Sequence, residues 1–417
     1  MTMRTLFATL ACALAAVPTP APARVRTGID VLETTRFAAL RPLAARHGGR
    51  LRVAVLTNPV GRDGAGRRTI DVLRQDGEAA VPGMTVVRLF SGEHGIEAAI
   101  DGIAITDQVD RASGLPVVGL YGAKASDLRP TAAQLADIDA VVIDLQDAGV
   151  RYWTFQTLTK YFLQASARTG VEVVVLDRPN PVNGVSVQGP LSTPGREDYV
   201  DPHSEPMRPG MTLGELARFF DGEDRIGAHL TVVRMEGWRR TDWYDDTGLL
   251  WINPSPNLRS LLHATLYPGM ALLEGSNVNL KGPTEPPFVR FGAPWIEATR
   301  LAAYLNARAI PGVSFLPVAY VPTGERQYNF IGQRIEGVEI VVHDRERIDV
   351  PALGVEVVAA LWRLYGTRFE IDKVDRLLRN RAVLDQIRAG IDPRVIAAGW
   401  QRALAAFKVR RARYLLY

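Results

Sequence analysis

Glu93 and His94 stand side by side in the stretch VVRLFSGEHGIEAAIDG, where an apolar segment runs into two titratable side chains flanked by Gly92 and Gly95. Neighbouring carboxyl and imidazole groups can exchange protons with a bound molecule, and glycines let the backbone turn sharply while a ligand comes close. A second group lies in DLQDAGVRYWTF, with Asp144, Gln146, Asp147, Arg151, Tyr152 and Trp153 in one segment. Carboxylates beside aromatic rings suit a sugar, whose C–H faces stack on the ring while its hydroxyls bond to polar groups. The stretch EGWRRTDWYDDTGLLWINPSPN adds Trp238, Trp243, Tyr244 and Trp251. The competing reading makes the first group a charged surface turn and most of these tryptophans core residues.

Several chemistries lose support by absence. The glycines after the first apolar strand fall at 61, 64 and 66, not in G-x-G-x-x-G, and no G-x-x-x-x-G-K-[ST] occurs, so no nucleotide cofactor is expected. There is no G-x-S-x-G elbow, and the six histidines (47, 94, 203, 229, 263, 343) show no H-E-x-x-H spacing, so neither a serine hydrolase nor a metal site is expected. The net charge of +4 is spread over 49 basic and 45 acidic residues without a basic run, which argues against nucleic acid as partner. What remains is carboxylate chemistry.

The elements that must carry these residues are legible. Apolar runs at 51–57, 84–90, 115–121, 140–146 and 171–177 alternate with helix-like stretches such as DVLETTRFAALRPLAARH and TFQTLTKYFLQASART. Such alternation predicts an α/β fold with a Rossmann-like parallel sheet covered on both faces. Asn58 then follows the first strand, Glu93 and His94 the second, Asp144 and Asp147 the fourth, and Asp177-Arg178 the fifth. Strand ends of a parallel sheet share one edge, where ligands bind.

Residues 24–185 are expected to form this catalytic domain. The Pro- and Gly-rich segment 186–210 reads as an interdomain connection, or equally as a loop crossing the cleft. Residues 211–417 read as a second, smaller α/β domain. Residues 1–23 read as an export leader: Arg4, the run TLFATLACALAAV, then small residues before Arg24. That run is short for a membrane span, and the sole cysteine, Cys12, lies inside it. A periplasmic or secreted protein follows, with no membrane span and no protein partner expected.

The motifs TNPVG, SGEHG, DLQDAGVRYWTF, LDRPNPVNG, GMTLGELA, MEGWRR, PSPN, YPGMALLEGSN, GAPW and RARYLLY, in this order from about residue 29 onward, resemble the exo-β-N-acetylmuramidase family. The resemblance implies a cleft between the two domains and release of N-acetylmuramic acid from the non-reducing end of peptidoglycan-derived fragments. By the same resemblance Glu93, His94, Asp147 and Tyr152 are the catalytic candidates. Arg151, Asn257, Glu274 and Asn277 match the family's binding positions, and Asn58, Asp144 and Lys281 join them as substrate-binding candidates. Glu93 is the expected acid. The second group stays open between Asp147 as nucleophile or base, Tyr152 as stabiliser, and the substrate's own N-acetyl group.

The chain departs from the family where GRGT becomes KGPT, Lys281 to Thr284, with Gly282 at the arginine position. Either Lys281 or Arg290 then grips the lactyl carboxylate, or the preferred glycan is a related amino sugar without it. The alternative of a different class is a periplasmic sugar-binding protein on the same frame.

Overall fold

The computed structural model describes residues 25–99, 101, 104–283, 286–324 and 328–417. The expected leader, with Cys12, and Thr284 lie outside the described residues.

The strands in chain order are β1 (Leu51–Thr57), β2 (Met84–Ser91), β3 (Gln108–Val109), β4 (Pro116–Gly119), β5 (Ala140–Asp144), β6 (Glu172–Leu176), β7 (Gln188–Leu191), β8 (Pro206–Arg208) and β9 (Leu230–Val233). Seven of them form one sheet in the order β3-β4-β2-β1-β5-β6-β9, parallel except for β3. β5 and β6 are buried along their whole length, which is why they read as continuous Val/Ile/Leu runs. Alternate residues feed two cores. Val53, Val55, Val142 and Val174 pack with Ile29, Leu32 and Leu43 on one face. Leu56, Ile143 and Val175 pack with Phe155, Leu158 and Phe219 on the other. The chain leaves β1 for β2 on one side and returns to β5 on the other, so the order reverses at β1/β5, where the carboxyl ends of the strands leave a crevice.

The helix Thr154–Thr169 appears where its sequence placed it. The stretch 30–47 instead breaks into Gly28–Thr34 and Arg41–Arg46, because Arg36 (φ 52°) and Phe37 (φ 57°) turn left-handed between them.

The second half carries β10 (Arg290–Ala293), β11 (Val313–Tyr320) and β12 (Ile335–Val342), an antiparallel sheet in the order β10-β12-β11. The boundary read from the sequence needs correction here. β9 belongs to the segment 211–417 yet pairs parallel with β6 as the edge of the first sheet. It is only partly buried, so LTVV reads alike for either sheet. β7 and β8 pair antiparallel within the supposed connection. The chain end straps the halves together: Arg411 Nη1 donates to Pro209 O (2.8 Å) and Gly210 O (2.5 Å). The Tyr417 hydroxyl donates to Asp177 Oδ2 (2.8 Å) and accepts from Met235 N (2.8 Å). Among the described residues no helix is long and apolar enough to cross a membrane.

Candidate active site

A cavity of about 90 Å³ opens at the carboxyl edge of the sheet against the second half, and Glu93 and His94 line it. The loop that carries them lies directly on the helix Thr154–Thr169: a Cβ at Gly92 would stand 2.8 Å from Leu158 Cδ2, so any larger residue would make the Leu158 side chain shift. His94 (φ 72°) and Gly95 (φ 79°) then turn left-handed in succession. A histidine in that region is strained, a feature that concentrates at functional sites. At the start of the helix, Thr154 Oγ1 donates to Glu93 Oε2 at 2.7 Å. Two hydroxyls flank the same carboxylate. Burial, then the nearby Glu93 charge, pushes Tyr121 and Tyr199 upward, so both keep their protons and can donate. Their rings lie 5.7 Å apart.

The opposite lining is a charge network. Asp101 accepts from Asn257 Nδ2 (2.9 Å) and Tyr328 (3.3 Å), and lies 3.4 Å from Lys281 Nζ. Lys281 also reaches Glu274 Oε1 at 3.5 Å. Burial alone would lower the Lys281 ammonium, but the Glu274, Asp101 and Glu93 carboxylates outweigh it and push it upward. His94 Nδ1 lies 4.0 Å from Asp101 Oδ1, and its ring is 6.1 Å from that of Trp153. Trp153, Tyr267 and Phe288 supply apolar walls, with Trp153 edge-on to Tyr267 at 5.9 Å. The set offers a carboxyl group held by a hydroxyl, further carboxylates and aromatic faces, which is the equipment of glycoside cleavage.

Of the residues singled out in the sequence, Glu93, His94, Asn257, Glu274 and Lys281 come together here. Tyr152 lines the cavity with its ring, but its hydroxyl donates to Pro268 O (2.6 Å) and Tyr267 O (3.3 Å). Asp147 is buried outside the lining. Its Oδ1 accepts from Gly149 N (2.6 Å) and Gln156 Nε2 (3.2 Å), its Oδ2 has no partner among the described residues, and burial raises its pKa to about 7.

Arg151 is fully buried. It donates to the carbonyls of Pro190, Glu205, Leu377 and Leu378, and its Nε lies 3.2 Å from Asp201. Asp144 is gripped by Arg178 at 2.5 and 2.9 Å and accepts from the Thr69 hydroxyl. Asn58 Oδ1 accepts from Val60 N (3.1 Å), and the residue faces a separate cavity beside Arg62 and Arg68. Asn277 bridges Arg368 O (2.7 Å) and Glu370 N (2.9 Å). These four, like Asp147, fasten loops rather than face the cavity.

Trp238 and Trp243 are core residues, and Trp251 donates to Leu258 O at 3.2 Å, so the aromatic stretch builds frame rather than wall. Tyr121, Tyr199, Tyr267, Asp101 and Arg376 were not foreseen. Asp101 carried a signal, a second carboxylate in the same loop as Glu93. Tyr199 and Val200 come from the segment 186–210, which therefore crosses the cleft. A wider cleft of about 460 Å³, beside Asp30, Arg62 and Leu250, lies apart. Its polar groups are engaged by the protein, Arg62 with Gly66 O (2.8 Å) and Asp30 with Thr27 N (2.8 Å). Among the described residues no three of histidine, cysteine, aspartate and glutamate group as a metal site.

The chain matches the family models "Exo-beta-N-acetylmuramidase NamZ, N-terminal" over residues 53–262 and "Exo-beta-N-acetylmuramidase NamZ, C-terminal" over residues 265–417. The division between them falls after β9, later than the segment 186–210. The chain is 32% identical over 398 residues to the peptidoglycan β-N-acetylmuramidase NamZ of Bacillus subtilis (strain 168), covering 94% of this chain and 92% of that protein. Crystal structures of two DUF1343 family proteins from Bacteroides fragilis NCTC 9343 share its fold. One has a TM-score of 0.83 at 29% identity over 94% of this chain, the other 0.73 at 25% identity over 95%, each covered to 99% of its own length. With both halves matched in order, and with Glu93 poised in a carboxylate-lined cavity, the chain belongs to the NamZ exo-β-N-acetylmuramidase family of glycoside hydrolases.

Proposed function

We propose that the protein is an exported exo-acting glycosidase that releases N-acetylmuramic acid from the non-reducing end of peptidoglycan-derived fragments. Glu93 protonates the leaving oxygen. The observation that carries the reading is the Glu93 carboxyl group, fixed by Thr154 inside a cavity of about 90 Å³. The exo-acting mode is supported by the family assignment, whose description names an exo-β-N-acetylmuramidase. Asp101 and Glu274 supply negative charge towards an oxocarbenium-like centre. Tyr121 and Tyr199 donate to developing negative charge or to sugar hydroxyls. The family assignment, and the peptidoglycan β-N-acetylmuramidase of Bacillus subtilis at 32% identity, support the substrate class. The leader-like residues 1–23 support export to the periplasm or beyond.

Incubation with a chromogenic β-N-acetylmuramide tests the activity. Release of the aglycone with repeated turnover is expected. Stoichiometric binding without release would favour a sugar-binding protein, and preferential cleavage of the β-N-acetylglucosaminide would favour a related amino sugar. Intact-mass analysis of the exported protein is expected to place its first residue at or near Arg24.

A further inference from the structure

Among the described residues two permanent cations line the cavity, and they are not equivalent. Lys281 lies 3.4 Å from Asp101 and 3.5 Å from Glu274, so its charge is already answered within the protein. Arg376 lines the same cavity from an exposed position, and among the described residues no carboxylate stands within ion-pair distance of it. Its side chain lies along the Glu274-Gly275 turn, where a Cβ on Gly275 would stand 3.6 Å from Arg376 Nη1. Its charge is felt at the Tyr121 hydroxyl, the group that also senses Glu93. An arginine left unmatched beside the proton donor is available to an anionic ligand.

The backbone around Arg376 is held from three directions. Arg151 Nη2 donates to Leu377 O and Leu378 O at 2.9 Å each. Arg196 Nη2 lies 3.0 Å from Asp375 Oδ2 on one side, and Arg379 Nη1 lies 3.1 Å from Asp198 Oδ2 on the other. Residues 375–379 are thus pinned to loops of the first half, across the cavity they help to line. Pre-fixing the backbone lowers the entropy lost when the guanidinium closes on a ligand. The other basic side chain near the altered loop, Arg290, is bound to Glu339 at 3.0 and 2.6 Å.

We propose that Arg376 recognises the carboxylate substituent of the sugar bound in this cavity, and that Arg151 is a positioning residue holding the Arg376 backbone in place. The inference rests on the function proposed above and deepens it, because the planar guanidinium fork matches a carboxylate with two parallel hydrogen bonds. An amino sugar without the acid offers it nothing equivalent.

The test compares kcat/KM on three chromogenic substrates: the β-N-acetylmuramide, the same muramide with its carboxylate converted to an amide, and the β-N-acetylglucosaminide. In Arg376→Met, kcat/KM on the acid is expected to fall by roughly ten- to a hundredfold, mainly through KM. Turnover of the glucosaminide should change much less than turnover of the acid, and thermal stability should stay near native. The native enzyme should prefer acid to amide by a similar factor, and Arg376→Met should no longer distinguish them, which is the non-additivity that identifies a direct contact. Arg376→Lys keeps the charge without the fork and should fall between the two. Arg151→Lys should weaken the acid-to-amide preference in the native background and leave it unchanged in Arg376→Met. A native preference for the acid that survives Arg376→Met overturns this inference alone. A native enzyme that does not turn over the muramide overturns the proposed function and this inference with it.

Discussion

Thr154 donates its hydroxyl to Glu93 across 2.7 Å, so the helix that follows β5 fixes the carboxylate that follows β2. Two strand-end loops on either side of β1 are thereby coupled at the point where chemistry is expected, and each of the two residues yields a measurable outcome.

Replacing Glu93 with Gln keeps the shape and the bond to Thr154 but removes the transferable proton. A general acid contributes about 10²–10⁴-fold, so turnover of a poor leaving group should fall by that order. The thermal midpoint should hardly move. A Gln variant with near-native turnover would assign the acid elsewhere.

Thr154→Val deletes the donor while keeping the branched shape. The net value of such a bond, about 0.5–1.5 kcal/mol, corresponds to roughly two- to tenfold in kcat, with KM little changed. Thr154→Ser should restore most of the loss. Equal kinetics for Val and Ser would show that the hydroxyl does not orient the acid.

Asp147 gives a prediction in pH. Its folded-state pKa of about 7 lies above the ordinary carboxylate value, because burial disfavours the ionised form. Between about pH 4 and pH 7 the unfolded chain has lost a proton that the native protein still holds, so native stability falls as pH rises through that window and levels above it. Asp177, also raised to about 7 by burial, acts in the same direction. Asp147→Asn removes one contribution of this sign. Urea unfolding at pH 5 and pH 8 should show a smaller stability loss than in the native protein. Because Asp147 does not line the cavity, turnover at neutral pH should stay within about threefold of native. A collapse in turnover with intact folding would return Asp147 to the catalytic set.

Arg151→Met should act on stability first. It removes four backbone contacts and leaves Asp201, itself buried, without its nearest cation. Breaking a buried pair in this way costs about 3–5 kcal/mol. Denaturant midpoints of the native protein and the variant measure it directly, and a loss below about 1 kcal/mol would show that the site is solvated in solution.

The strands and the edge that carries the site are plain in the sequence, because strands buried on both faces leave apolar runs that few other structures produce. Glu93 could be placed for the same reason, since it follows one of those runs. Asp144, Asp147 and Arg151 follow another and serve the frame. A polar residue at a strand end either faces the crevice or ties down its own loop, and residue type does not tell these apart. Asp147 bonding to Gly149 N two residues on is a local turn interaction. Arg151 needs carbonyls from 190 to 378 before its role exists. Tyr199 and Arg376 were invisible because they come from segments without periodicity, Tyr121 because it reads as one more apolar residue at the end of the run 115–121, and the three meet only in three dimensions. The sheet membership of β9 was hidden for a related reason, since a short, half-covered edge strand carries no mark of its partner.

The strap at the chain end bears on the order in which the molecule assembles. Asp177, at the end of β6, takes its bond from Tyr417, 240 residues further along the chain. In chain order the first sheet has all its strands by residue 233, and the bond from Tyr417 joins those that Thr212 and Gly214 already make to this buried carboxylate. Contacts of such long sequence separation slow folding, and a nascent chain lacking the final segment keeps Asp177 short of a partner. Thr212 and Gly214 hold the same carboxylate from the start of the next helix, so the far end of the sequence closes a socket that the first half has already shaped.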